Sequence, residues 1–120
     1  MRRAVERLSS EYVRNNVVFV IDECNDGVTA YEAVTRALDT RCPFDLLLMD
    51  NVMLKMNGPE AAAKMRSGGY SGYICGVTGN VMARDVKHFV DSGADILLPK
   101  PLNVDRLREV LNRVVERNIV

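Results

Sequence analysis

Four short apolar runs, at residues 17–21, 44–49, 73–77 and 96–98, alternate with stretches of helical periodicity, and this alternation limits the fold more than any other feature. Val17-Val18-Phe19-Val20-Ile21 is rich in β-branched residues and ends in Asp22-Glu23, so residues 17–23 read as a strand. Residues 44–49 are apolar nearly throughout, as a strand covered on both faces should be. Five helical stripes separate and flank these runs. Val5, Leu8, Tyr12 and Val13 form one, and Ala30, Ala33, Val34, Ala37 and Leu38 another, with Thr29 as its N-cap. Asn57-Gly58-Pro59 opens a third, which carries Ala61, Ala62 and Met65 and stops at Gly68-Gly69. Met82, Val86, Phe89 and Val90 face inward in a fourth, and Asn103 caps a fifth with Val104, Leu107, Leu111 and Val114. Strands that alternate with helices pair in parallel through right-handed crossovers. The expected fold is therefore α/β, a doubly wound parallel sheet of four strands and five helices.

Composition narrows the function. The chain has 120 residues, no repeat and no linker-like tract, which predicts one domain over residues 1–120. Its 48% apolar content argues against disorder. Sixteen Lys and Arg balance sixteen Asp and Glu, so no basic surplus exists to neutralise nucleic-acid phosphates. No apolar run approaches the ~20 residues of a membrane span, and Glu6 and Glu11 interrupt any signal-peptide core. Cys24, Cys42 and Cys75 are widely spaced and form no C-x-x-C pair, so reduced thiols are expected and a zinc site is not. Together these predict an intracellular protein, cytoplasmic or nuclear. His88, the single histidine, lies mid-helix and reads as a surface residue.

In a doubly wound sheet chemistry collects at the carboxyl ends of the strands. There the sequence places Asp22-Glu23, Asp50, Thr78 and Lys100. Asp50 follows four apolar residues, and a carboxylate at the lip of a buried strand needs a cation or donors beside it. Lys100 stands between Pro99 and Pro101, which fix the backbone on each side. A carboxylate, an ammonium and a hydroxyl converging on one rim suit a phosphoryl group carried by the carboxylate.

These residues resemble a known family. Met49-Asp50-Asn51-Val52-Met53-Leu54-Lys55-Met56-Asn57-Gly58 resembles the phospho-acceptor segment of response-regulator receiver domains. Val77-Thr78-Gly79-Asn80 is similar to their switch-threonine segment, and Gly93 to Leu102, with Leu98-Pro99-Lys100-Pro101, to their lysine segment. Asn25-Asp26-Gly27 with Thr29-Ala30 resembles the turn into their second helix. The pattern is closest in style to receivers attached to hybrid histidine kinases. The resemblance implies a flavodoxin-like topology and a phosphorelay role. Asp50 would accept a phosphoryl group from a histidine kinase or a histidine phosphotransfer protein, with Thr78 and Lys100 contacting it. The Lys100-Pro101 peptide would be cis. Magnesium would be held by Asp50 and the backbone carbonyl of Val52.

The chain also departs from that pattern. It reads as beginning at the family's first helix, so that the first strand and its acidic pair are missing and the receiver is truncated at its N-terminus. Asp22 and Glu23 end an apolar strand, yet they precede Asp50 by too few residues to fit a helix, a strand and a second helix between. They remain metal ligands only in a rearranged sheet in which their strand slides beside residues 44–49. Leu54 stands where the family usually has Pro, Asn57 where it has Asp, and Leu97 where many members have a switching aromatic. The alternative function is a receiver-like module that takes no phosphate and signals by protein contact. No ATP-binding segment is present, so the chain is not expected to be a kinase, and Val52 stands where an Asp-dependent phosphohydrolase would carry a second Asp.

Overall fold

The computed structural model of the chain describes residues 2–13, 22–24, 26–51, 55–79 and 82–118. In order these form α1 (Arg2–Val13), α2 (Gly27–Asp39), β1 (Leu46–Asp50), α3 (Gly58–Ser67), β2 (Tyr73–Thr78), α4 (Ala83–Asp91), β3 (Ile96–Pro99) and α5 (Val104–Asn118). The strands pair in parallel in the order β1-β2-β3, with Asp50 opposite Val77 and Thr78 opposite Pro99. Among the described residues five helices form as expected, but the sheet has three strands rather than four. The strand expected over residues 17–23 falls at 17–21 outside the described residues, while Asp22 and Glu23 lie in irregular chain.

Alternation along the strands explains the layers. Successive strand residues point to opposite faces. Met49 and Ile74 face a core with Val34 of α2, Ala61, Ala62 and Met65 of α3 and Phe89 of α4. Leu46 and Leu48 face Val5, Leu8 and Tyr12 of α1 with Leu107 and Leu111 of α5, and Cys75 meets Leu98 and Val110 beside them. The sheet is thus covered on both sides, which is why β1 and β2 read as continuous apolar runs.

Local bonding sets the helix ends. Asp26, not Thr29, is the N-cap of α2, because its Oδ1 accepts the Thr29 backbone N–H at 2.8 Å and its Oδ2 the Thr29 hydroxyl at 3.1 Å. Asn57 caps α3 by accepting the Glu60 N–H at 2.9 Å, and its amide donates to the Glu60 carboxylate at 3.1 Å. Asn103 accepts the N–H groups of Asp105 and Arg106 at the start of α5. Gly93, just beyond the C-cap of α4, has φ +127°, a conformation that favours glycine. Helix α4 departs from expectation. Met82 and Val90, read as inward, are 56% and 44% exposed, and Phe89 is its one buried residue.

The amino end of the sheet is braced by Arg66. Its Nε and Nη2 donate to the Gly93 carbonyl at 3.1 and 2.9 Å, and its Nη1 to the carbonyls of Tyr70 and Gly72 at 3.1 and 2.7 Å. Nη2 also donates to Asp95 Oδ2 at 2.9 Å, and that oxygen accepts the Ile74 N–H at 2.8 Å. The Tyr70 hydroxyl donates to the Phe44 carbonyl at 2.9 Å, and burial raises its pKa well above the ordinary phenol value. This brace fixes the chain entering all three strands.

Candidate functional site

The carboxyl ends of β1, β2 and β3 bring Asp50, Thr78 and Lys100 to one edge. Parallel pairing makes this unavoidable, since each residue ends its strand or follows it directly. Asp50 closes β1, and the chain after it is tied back to β2 by the Asn51 N–H donating to the Val77 carbonyl at 3.0 Å. Thr78 closes β2 and is 3% exposed. Its carbonyl accepts the Lys100 N–H at 2.9 Å, which positions the lysine backbone against β2. The Lys100-Pro101 peptide is cis.

Lys100 Nζ donates to Asp50 Oδ2 at 2.7 Å. The lysine side chain is 44% exposed and the aspartate 30%. An ion pair so open to water adds about 0–1 kcal/mol to stability, so folding alone does not require it. What it supplies is a carboxylate with a cation already against one oxygen and solvent on an open side. That arrangement can offset charge as the carboxylate takes on an electrophilic, anionic group.

The floor beneath Asp50 is built from glycines. The Gly58 N–H donates to the Asn51 carbonyl at 2.9 Å, folding the segment after β1 onto the start of α3. A Cβ at Gly58 would come within 2.8 Å of Phe89 Cζ and would press on the Asp50 carbonyl oxygen. Gly76 lies in the middle of β2, and a Cβ there would come within 2.9 Å of the same ring. A glycine inside a strand pattern marks such a close approach. That was the signal in the sequence, although the ring it makes room for could not be named from it.

Val52 lies outside the described residues. Asp22 and Glu23 are exposed in irregular chain ahead of α2, where the Asp22 charge is felt at Cys24. The Cys24 thiol is pushed up by burial first and by Asp22 and Asp26 second. No group of three or more His, Cys, Asp or Glu that could hold a metal ion occurs among the described residues. Cys24, Cys42 and Cys75 are free thiols, and burial raises the Cys75 pKa to about 12. His88 is exposed on α4. No helix among the described residues is long and apolar enough to cross a membrane.

The sequence and structure are similar to those of known proteins. The family model of the response regulator receiver domain matches residues 2–112. The two-component response regulator ORR41 of Oryza sativa subsp. japonica is 37% identical over 92 residues, which is 77% of this chain and 70% of that protein. The sensor histidine kinase RcsC of Salmonella typhi is 31% identical over 93 residues, and there the match spans 78% of this chain and 9% of the kinase. Among solved structures, the receiver domain of the histidine kinase CKI1 from Arabidopsis thaliana, complexed with Mg2+, superposes with a TM-score of 0.72 at 26% identity, covering 90% of this chain and 82% of that one.

Proposed function

The chain belongs to the response regulator receiver domain family, the phospho-acceptor modules of two-component phosphorelays, and from that premise we propose that Asp50 accepts a phosphoryl group from a phosphohistidine. The observation that carries this reading is the Asp50–Lys100 ion pair at the carboxyl edge of the sheet, with Thr78 on the strand between them. In the transfer an Asp50 oxygen attacks phosphorus and a P–O bond forms. The P–N bond to the imidazole breaks, and the imidazole nitrogen keeps the electron pair. Lys100 would offset the negative charge gathered at the carboxylate, and the Thr78 hydroxyl would donate to a phosphoryl oxygen. The donor would be a histidine kinase or a histidine phosphotransfer protein inside the cell.

Incubation with magnesium and a small phosphodonor such as phosphoramidate, followed by intact-mass measurement, tests this. One added phosphoryl group is expected on the parent chain and none on Asp50→Asn. An unmodified parent chain rejects phosphate acceptance by the domain alone.

The direct Asp50–Lys100 ion pair also supports a second reading. In it the domain is a binding module whose Asp50 stays paired with Lys100. Titration with magnesium separates the two: millimolar or tighter binding that shifts the amide signals of Asp50 and Asn51 counts against this second reading.

A further inference from the structure

Two non-glycine residues among those described have positive φ, Arg41 at +59° and Lys55 at +65°. An L side chain enters this region only at a cost, so each case needs a reason. Arg41 has an ordinary one. It follows the C-cap of α2, where its N–H donates to the Leu38 carbonyl at 3.1 Å and the Cys42 N–H to the Ala37 carbonyl at 2.9 Å, a common helix stop. Lys55 ends no helix. It stands in the segment that joins Asp50 to α3, exposed, while the next residue, Met56, is buried in the core. The Gly58 N–H bonded to the Asn51 carbonyl at 2.9 Å closes that segment and keeps Lys55 beside the acceptor edge. Glycine would take this backbone freely, so the reason for a lysine lies in its side chain. The chain has four lysines. Lys64 lies over the Tyr31 ring at 5.7 Å, and Lys87 and Lys100 pair with Asp91 and Asp50, each at 2.7 Å. Among the described residues the Lys55 ammonium has no such contact. Asp26 feels its charge, but that carboxylate is already bonded to the Thr29 N–H and hydroxyl.

We infer that Lys55 is a recognition residue for the phosphodonor: its ammonium, held on a closed loop beside Asp50, draws the anionic phosphoryl group to the acceptor edge. This rests on the proposed phosphoryl acceptance. A donor phosphoryl group is negatively charged and has to approach a carboxylate. The Asp50–Lys100 pair sums to zero charge and offers it no net attraction. A second cation on the same segment supplies that attraction without touching the atoms that react. Lys55 therefore acts on the encounter with the donor, and Lys100 on the transfer itself. An attraction of this kind acts through water, so it is modest and salt screens it.

The test uses the full chain with magnesium and phosphoramidate, an anionic phosphodonor, and measures second-order phosphorylation rates by intact mass. Lys55→Gln removes the charge and keeps a side chain at the positive φ. Lys55→Gly removes the charge and the strain together, so its Tm should hold or rise. Lys55→Arg keeps the charge. At low ionic strength Lys55→Gln and Lys55→Gly are expected to react roughly threefold to fivefold more slowly than the parent, and Lys55→Arg at the parent's rate. At about 1 M salt, where charges are screened beyond about 3 Å, the parent and all variants should converge. A structural role would not be restored by arginine, erased by salt or lost in a variant at least as stable as the parent. Parental rates in Lys55→Gln and Lys55→Gly at low salt overturn the inference, and so does a deficit that salt leaves unchanged. If the parent chain takes no phosphate, the proposed function fails. Phosphoramidate titration, read from the amide shifts of Met56 and Asn57, then decides alone: weaker binding in Lys55→Gln supports the role of Lys55, and equal binding overturns it.

Discussion

The two ends of the sheet use charge in opposite ways. At the amino end, the Arg66 guanidinium and the Asp95 carboxylate bind each other, and both also bind main-chain groups that enter the strands. At the carboxyl end, Asp50 Oδ2 is joined to Lys100 Nζ, both side chains are substantially exposed, and the strands are secured independently by main-chain bonds. A charge bonded to the backbone cannot leave without orphaning part-buried donors or acceptors, which costs roughly 1 kcal/mol per group. A charge bonded to another exposed charge can exchange its partner for water or for an incoming anion at little cost. The first arrangement holds a fold, and the second leaves a carboxylate ready for chemistry.

The largest expected effect breaks the carboxyl end alone. Asp50→Asn should abolish phosphate uptake completely while changing stability by about 1 kcal/mol or less, because the lost pair is exposed. Intact mass after phosphodonor treatment reads the first effect and urea unfolding the second. A large loss of stability would mean that the pair is structural and that the contrast between the two ends is false.

Arg66→Ala should do the reverse. It removes donors from three carbonyls and leaves Asp95 with the Ile74 N–H, so roughly 3 kcal/mol should be lost. Phosphate uptake per folded molecule should stay within about twofold of the parent, since the phosphoryl-accepting groups are untouched. Urea unfolding with parallel mass measurement checks both.

Asn57→Ala sharpens the comparison by separating location from bonding type. Asn57 lies on the site side of the sheet but bonds a backbone N–H, that of Glu60. If bonding type is what matters, the substitution should cost about 1 kcal/mol, as the loss of an N-cap does. Equilibrium unfolding is the measurement, and no change would mean that location, rather than bonding, divides the two ends.

What could be read in the sequence follows the same division. The acceptor constellation was legible because parallel pairing carries every strand's end to one edge, so Asp50, Thr78 and Lys100 needed only their strands to be recognised. The caps Asn57 and Asn103 were legible because an N-cap is a local bond between neighbours in sequence. Thr29 was taken for Asp26 because both are good caps three residues apart, and the choice depends on where the chain enters the helix. Arg66 was not legible, since its partners Gly93 and Asp95 are 27 and 29 residues away. Met82 and Val90 fit a helical stripe, yet Phe89 is the one buried residue of α4, and periodicity carries no information about how deeply a helix is seated. The metal ligands stayed open for a different reason: they depended on Val52, outside the described residues, and on Asp22 and Glu23, which lie outside any strand.

The smallest effect concerns a carboxylate bonded to main chain, where pH can test the rule without removing a side chain. The Thr29 N–H holds the Asp26 carboxyl below its ordinary pKa of 3.8, helped by the Thr29 hydroxyl and the Lys55 charge and opposed by partial burial. Below that ordinary value the unfolded chain takes up the proton first. Asp26 therefore contributes stability that is complete above pH 3.8 and is lost as pH falls through the lower, folded value. Asp26→Asn keeps an oxygen for the Thr29 N–H and removes the titration. Its Tm should fall less steeply than the parent's between about pH 5 and about pH 2, with the two proteins differing most at the upper end of that range. Identical acid limbs would show that the charge on Asp26 adds nothing beyond the neutral cap, and that a backbone partner alone does not make a carboxylate structural.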